Sequence, residues 1–142
     1  TIARLVEMGL ESYLLAATIE SIVAQRLVRC ICPECKTAYT PTEEEVYEVG
    51  MTPADMEGRQ FYYGTGCSNC KNIGYRGRNA IYEILRMNSR LRDLIIEGKS
   101  TEVLRNAAVE SGMNTLRQAG LVKVFDGITT LDEVVRETLG AE

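Results

Sequence analysis

The spacing of apolar residues predicts a helical beginning to the chain. After Gly9, residues 11–27 carry apolar side chains three or four positions apart, as one face of an amphipathic helix requires. The stripe consists of Leu15, Ile19, Ile22, Val23 and Leu27. We therefore predict that residues 1–29 are helical and that this stripe faces a core.

The last third of the chain predicts a run of short helices, because polar capping residues and glycines alternate along it. Thr130 and Glu133 have the spacing of a capping box. The predicted starts are Asn88 or Ser89, Ser100 or Thr101, Thr115, and Thr130, and the predicted ends are Gly98, Gly112 and Gly127. We predict a small helical bundle over residues 88–142.

The sequence of residues 30–87 predicts a mixture of short helices and short strands. Thr42 with Glu45 forms a capping box that opens a helix, Gly50 closes it, and Pro53 begins another helical turn. Residues 60–63 and 79–87 have the apolar alternation of strands. The predicted fold class is α+β and mostly helical, with short strands between two helical segments.

Five cysteines and no histidine decide which chemistry is available. The absence of histidine excludes Ser-His-Asp triads, Cys-His nucleophile pairs and His-based zinc protease sites. Four of the cysteines form two Cys-x-x-Cys pairs, Cys32 with Cys35 and Cys67 with Cys70. Two such turns direct four sulfurs at one tetrahedral ion, so we predict a structural Zn²⁺ site in a zinc-ribbon-like subdomain.

Two other interpretations of the four paired cysteines fit less well. A catalytic zinc needs an open coordination position, which four protein ligands do not leave. A thioredoxin-like redox pair does not explain two copies of the motif. Cys30 is a bystander or an alternative ligand, and its spacing from Cys32 does not suit a metal-binding turn. We expect Lys36, Lys71 and backbone amides to offset the thiolate charge.

The charge balance argues against nucleic acid as a partner. The chain has 16 basic and 20 acidic residues and a pI near 5.0, whereas proteins that bind nucleic acid without sequence preference present a basic face. Composition is that of a globular protein, with no apolar run long enough to span a bilayer and no signal-peptide pattern. Because the first residue is Thr1, we expect an excised fragment.

One phosphate-binding pattern is misleading. Gly98-Lys99-Ser100 looks like the end of a P-loop, but Asp93 stands where that motif requires its first glycine. We therefore predict that Gly98 ends a helix.

Several ordered motifs along the chain carry a family resemblance. They are residues 3–9 (ARLVEMG), 24–29 (AQRLVR), 66–70 (GCSNC), 74–78 (GYRGR), 81–85 (IYEIL), 112–116 (GMNTL), 120–124 (GLVKV) and 127–134 (GITTLDEV). These motifs resemble those of bacterial type II secretion and type IV pilus assembly ATPases, and the likeness covers essentially the whole chain. Pilus retraction ATPases of the same superfamily generally lack the tetracysteine motif, so its presence favours assembly or secretion.

The resemblance implies that the chain is the C-terminal part of such an ATPase. Residues 1–29 are then the terminal helices of the ATPase core, residues 30–87 the four-cysteine zinc-binding subdomain, and residues 88–142 the C-terminal helical bundle. The Walker motifs, ATP and Mg²⁺ belong to the parent protein, and the chain itself has no catalytic and no nucleotide-binding residues.

The implied parent is a homohexameric motor, cytoplasmic and peripheral at the inner membrane. Its expected partners are the rest of the ATPase core, neighbouring subunits and the inner-membrane platform protein. The roles of Arg76 and Arg78 and the choice between secretion and pilus assembly stay open. The alternative is a stand-alone zinc-ribbon module for protein interaction or nucleic-acid binding.

Overall fold

The computed structural model describes residues 1–139 as a mixed α+β chain, which confirms the α+β class. The zinc-ribbon-like subdomain between two helical segments stays a prediction. Residues 140–142 of the predicted helical segment lie outside the described residues. Two 3₁₀ turns cover Pro53–Met56 and Ser68–Cys70. The other elements are α1 (Ile2–Glu7), α2 (Ser12–Thr18), β1 (Ser21–Ile31), β2 (Lys36–Tyr39), α3 (Glu43–Glu48), β3 (Phe61–Gly64), β4 (Tyr75–Arg86), α4 (Ser89–Ile96), α5 (Thr101–Glu110), α6 (Leu116–Phe125) and α7 (Leu131–Thr138).

The strands form two small sheets. β1 pairs with β4, and β2 pairs antiparallel with β3 in a register that places Lys36 opposite Gly64 and Tyr39 opposite Phe61. The predicted strands at residues 60–63 and 79–87 are confirmed as β3 and β4, the latter beginning earlier than predicted. Within the described residues, no helix is both long and apolar enough to cross a membrane.

The first of two compact units contains Thr1–Ala24 and Glu83–Thr115. Its core brings α2, α4 and α5 together through their apolar faces. The predicted helix caps at Asn88 and Ser100 are confirmed. The Asn88 side chain accepts a hydrogen bond from the Leu91 amide, and the Ser100 hydroxyl accepts one from the Val103 amide. The buried core residues are Leu15, Ala16, Leu91, Ile95, Leu104, Ala107 and Ala108.

The second unit contains Gln25–Tyr82 and the described residues from Leu116 onward. Its core joins α6, α7 and β3 with the end of α3. The predicted capping box of α3 is present, with Thr42 and Glu45 each accepting from the other's backbone amide. The buried core residues are Val49, Phe61, Leu121, Val124, Leu131 and Val134. The division into segments 1–29, 30–87 and 88–142 stays a prediction.

The prediction that residues 1–29 are helical is wrong beyond Thr18. Ile19 has extended backbone angles, and β1 begins at Ser21. The apolar residues of this segment fit both the 3.6-residue period of a helix and the two-residue period of a strand. In the structure Ile22 and Ala24 are half-buried, whereas Ser21 and Val23 are exposed. Pairing with β4 supplies the backbone hydrogen bonds of this strand, and β-branched residues are well suited to it.

The contact between α6 and α7 depends on a glycine. A Cβ at Gly120 would lie 2.7 Å from Cγ1 and 3.0 Å from Cγ2 of Val134, which is fully buried. The two helices therefore approach more closely than any larger residue at position 120 permits.

Gly120→Ala is expected to destabilise the protein by about 1 kcal/mol. Overpacking a core costs about 1–3 kcal/mol, whereas alanine gains roughly 1 kcal/mol over glycine inside a helix. Urea denaturation of Gly120→Ala, Val134→Ala and the double variant measures this coupling. The double variant should be more stable than the sum of the single effects predicts, and a stabilised Gly120→Ala would contradict the argument.

Candidate metal centre

Two turns of the second unit carry the four predicted metal-binding cysteines. Cys32 and Cys35 lie between β1 and β2, while Cys67 and Cys70 flank the 3₁₀ turn between β3 and β4. The structure brings all four Sγ atoms within 4.8 Å of one another. Cys32, Cys35 and Cys70 are buried and Cys67 is half-buried, so the group lies under the surface.

The spacing of the sulfurs suits a single ion. The Sγ of Cys67 lies 3.7 Å from that of Cys32 and 3.6 Å from that of Cys70, and the Sγ atoms of Cys35 and Cys70 are 3.8 Å apart. Four sulfurs at about 2.3 Å from a tetrahedral ion are about 3.8 Å from one another. A disulfide requires about 2.05 Å. The donor set and its geometry therefore fit a four-coordinate metal.

Backbone amides point at the sulfurs. The Gly66 amide donates to the Sγ of Cys35 at 3.3 Å, and the amides of Cys67 and Gly74 both donate to the Sγ of Cys70 at 3.2 Å. Hydrogen bonds from amides stabilise a thiolate more than a thiol. The turns thus present donors suited to negatively charged sulfur.

The thiols influence one another's protonation in opposite directions. Burial raises the pKa of Cys35 to about 11, and hydrogen bonds with the neighbouring thiols add to the effect. At Cys70 burial also raises the pKa, but hydrogen bonds from the amides of Gly74 and Cys67 and from the thiols of Cys67 and Cys35 together outweigh it and lower the pKa to about 6. Four adjacent thiolates repel one another strongly, so full deprotonation of the group requires a cation.

A backbone contact fixes the shape of the second turn. A Cβ at Gly64 would lie 2.1 Å from the carbonyl oxygen of Gly74, and one at Gly74 would lie 2.4 Å from that of Gly64. Gly74 also has a φ of 88°, which favours glycine. This approach places the Gly74 amide beside Cys70, and the Gly74 carbonyl accepts from the Cys32 amide at 3.0 Å.

The second turn contains two residues in the left-handed region. Lys71 has a φ of 55° and Asn72 a φ of 61°. Such angles carry a cost for residues other than glycine, although asparagine tolerates them well. The amides of Asn72 and Ile73 donate to the carbonyls of Cys67 and Cys70, so the tight loop back over the cysteines is hydrogen-bonded.

Lys36 does not direct its charge at the cysteines as predicted. Its ammonium lies over the ring of Tyr62, 4.4 Å from the centroid. The observed donors to sulfur are backbone amides, which the sequence analysis also expected. Cys30 is not one of the four clustered cysteines, in agreement with the bystander interpretation.

An ion pair anchors the strand that leads into the first turn. Both the backbone amide and the guanidinium of Arg29 donate to the carboxylate of Glu133, at 2.6 Å to 3.1 Å. The guanidinium also lies 4.1 Å from the ring centroid of Tyr75, and the Thr129 hydroxyl donates to the Arg29 carbonyl at 2.8 Å. Three residues before Cys32, the chain is therefore held by its backbone as well as its side chain.

This arrangement corrects the predicted capping box of α7. The Thr130 hydroxyl does accept from the Glu133 amide at 3.1 Å. The Glu133 carboxylate, however, is 1% exposed and binds Arg29 instead of returning to the cap. Sequence reasoning missed the pair because its members are 104 positions apart.

The arginines of the GYRGR motif are solvent-accessible. Arg76 is exposed, and Arg78 lines a cleft of about 440 Å³ together with Arg26, Arg29 and Arg136. Glu133 and Glu137 line the same cleft.

This chain is similar in sequence to known proteins. The family described as "Type II/IV secretion system protein" matches residues 1–136. The chain belongs to this family. It is 41% identical over 138 residues to a "Type IV pilus assembly ATPase PilB" of Thermus thermophilus and 42% identical over 139 residues to one of Myxococcus xanthus. It is 39% identical over 137 residues to a "Type II secretion system protein E" of Pseudomonas aeruginosa.

The family relationship covers nearly all of this chain and a minor part of each relative. The matches span 97%, 97% and 96% of the chain, but 16%, 25% and 27% of those three proteins. The predicted resemblance to secretion and pilus assembly ATPases is thereby confirmed.

Glu133→Gln is expected to destabilise the protein by about 2–3 kcal/mol near neutral pH. This is slightly below the cost of breaking a fully buried ion pair, because the Arg29 side chain is 38% exposed. Glu110→Gln is the matched control, since the Arg90–Glu110 pair is exposed on both sides and should contribute under about 1 kcal/mol.

The effect of Glu133→Gln should also depend on pH. Burial raises the pKa of Glu133, but the hydrogen bonds from Arg29 outweigh it and hold that pKa below its ordinary value of 4.5. The ionised pair therefore stabilises the fold fully above about pH 4.5 and progressively less as pH falls through the folded-state pKa. Denaturation at pH 7 and pH 3 tests this, and a stability difference that grew in acid would contradict it.

Proposed function

We propose that this chain is a zinc-stapled, non-catalytic part of a motor ATPase that assembles a type II secretion pseudopilus or a type IV pilus. The observation that supports it most directly is the near-tetrahedral spacing of the Sγ atoms of Cys32, Cys35, Cys67 and Cys70. Family membership supplies the connection to the secretion and pilus machinery.

Zinc is the ion that suits this donor set best. Four thiolates in a tetrahedron are typical of Zn²⁺ or iron sites. Zn²⁺ is not redox-active, which suits a purely structural role. Cys32, Cys35, Cys67 and Cys70 would hold it and leave no coordination position for water or substrate. The ion would supply positive charge and a cross-link between the two turns, which is a structural role.

The position of the ion in the chain explains why it would matter. Within the second unit, one pair of ligands follows β1 and the other precedes β4, with the β2–β3 hairpin and α3 between them. A bound metal closes this long loop and reduces the conformational freedom of the unfolded chain. Structural zinc in small domains provides roughly 10–16 kcal/mol of apparent binding energy at neutral pH.

In the parent, we assign this chain to the C-terminal part of the motor subunit, where it provides structure and contacts. ATP and Mg²⁺ bind elsewhere in the parent, a homohexamer at the cytoplasmic face of the inner membrane. The zinc-bearing segment is a rigid projection that contacts the core, a neighbouring subunit or the membrane platform protein while the core opens and closes. Two observations support this role. The four-cysteine cluster is suited to a metal ion, and the backbone amide of Arg29 donates to the Glu133 carboxylate.

Metal analysis of the purified chain tests the zinc site. We expect one zinc per chain by mass spectrometry and a lower melting temperature with chelator, because the cross-link between the two turns is lost and the buried thiols keep only weak hydrogen bonds. Cys32→Ser/Cys67→Ser should lose the ion, whereas Cys30→Ser should keep it. Hydrogen exchange on the chelated protein should rise across residues 30–82 and change little in α4 and α5. Metal-free protein with an unchanged melt would overturn the site.

The double cysteine variant in the full-length parent tests the motor role. We expect Cys32→Ser/Cys67→Ser to impair hexamer assembly, ATP hydrolysis or pilus extension, with Cys30→Ser as the matched control. If zinc is lost while all three activities persist, the rigid-projection role is wrong even though the metal site stands.

A further inference from the structure

A second cleft in the same unit has an apolar interior. It encloses about 510 Å³ between the end of β2, α3, the 3₁₀ turn at Pro53–Met56 and β3. Its interior side chains are Tyr39, Val46, Met56 and Phe61, of which Val46 and Phe61 are almost fully buried. Open apolar clefts of this size can bind an apolar side chain of a partner.

The mouth of this cleft has a net negative charge. Two exposed glutamates, Glu43 and Glu57, line it together with one exposed arginine, Arg59. Residues 40–60 contain six of the 20 acidic residues of the chain and one of its 16 basic residues, so the rest of the chain has no acidic excess. The acidic excess of this protein therefore lies within residues 40–60, the segment that provides most of the cleft lining.

No salt bridge among the described residues involves the acidic side chains of residues 40–60. The ion pairs found in that part of the chain are Arg29–Glu133, Arg90–Glu110 and Arg92–Glu20. The local cation, Arg59, lines the same cleft and offsets part of the negative charge there. Its guanidinium lies 3.9 Å from the ring centroid of Phe125, and its Nε donates to the Asp55 carbonyl at 3.1 Å.

Acidic residues at the start of a helix stabilise it, which explains part of this acidic cluster but not all of it. Glu43 and Glu45 lie in the first turn of α3, where negative charge interacts favourably with the helix dipole. Glu48 lies in the last turn, where the same charge is unfavourable, and Glu57 follows the 3₁₀ turn. At the cleft, burial together with the charges of Glu45 and Asp132 raises the pKa of Tyr39 to about 12, which agrees with a negative local potential.

We propose that this cleft docks a basic segment of a partner protein, with an apolar side chain inserted between Tyr39, Val46, Met56 and Phe61 and lysines or arginines paired with Glu43 and Glu57. The apolar interior provides the anchor, and the acidic mouth selects the sign of the flanking charges. This deepens the proposed function, since it specifies the chemistry of one partner. Nucleic acid is a poor occupant because the mouth and the phosphates have the same charge.

Fluorescence anisotropy with a labelled ten-residue peptide of lysines and leucines tests the proposal on the zinc-loaded chain. We expect saturable binding that weakens with added salt, because exposed charges are screened. The same peptide with glutamate for every lysine should not bind, and an all-lysine peptide should bind far more weakly. Equal binding of the lysine and glutamate peptides would overturn the proposal.

Matched variants locate the binding. Glu43→Gln/Glu57→Gln should weaken it about fivefold, since exposed charge pairs are individually modest. Glu7→Gln/Glu97→Gln makes the same change in net charge on exposed residues of the other unit and should leave it unchanged. Ala54→Arg, at an exposed position lining the cleft, should abolish it. Equal affinity of the two charge variants, or binding retained by Ala54→Arg, would overturn the proposal.

Two further measurements separate the possible failures. Zinc content and melting temperature, determined on the same samples, distinguish a failed metal site from a failed docking cleft. Sedimentation of the chain alone detects self-association, and a dimer that Ala54→Arg abolishes would assign the cleft to a second copy and overturn the partner proposal.

Discussion

Four sulfur atoms within 4.8 Å of one another create an electrostatic problem that the second unit has to solve. Protonated, they are buried polar groups with weak hydrogen bonds; ionised, they repel one another at a separation where screening by water is small. The amides of Gly66, Cys67 and Gly74 offset part of a negative charge. A divalent cation offsets much more, and the turns already have the geometry to receive one.

The turns owe their position to contacts made outside the cysteines. Arg29 is held by its amide, carbonyl and guanidinium, so β1 reaches Cys32 with little freedom. The Ile31 amide donates to the Ile128 carbonyl at 2.8 Å, immediately before α7. The cysteine cluster and an apolar core of α6, α7 and β3 therefore lie in the same unit.

Local chemistry could be predicted from the sequence, whereas contacts distant in sequence could not. The cysteine pairs and the Thr42 cap depend on spacings of three residues, which a single sequence displays directly. β1 was mistaken for helix because its apolar residues suit both periods and its partner strand lies more than 40 residues away. The Arg29–Glu133 pair joins positions with no local signal, and the acidic cleft exists only after α3 and β3 have packed.

The two halves of the cysteine cluster differ in how they assemble. Cys67 and Cys70 share one short turn whose amide–sulfur bond is local, so this half can form while most of the chain is unfolded. Joining it to Cys35 closes a loop of 31 intervening residues, at an entropic cost of roughly 3 kcal/mol. An ion captured first by the local half would then recruit the distant half. If the cluster binds zinc as proposed, metal supply during synthesis would influence the folding of this unit as well as its final stability.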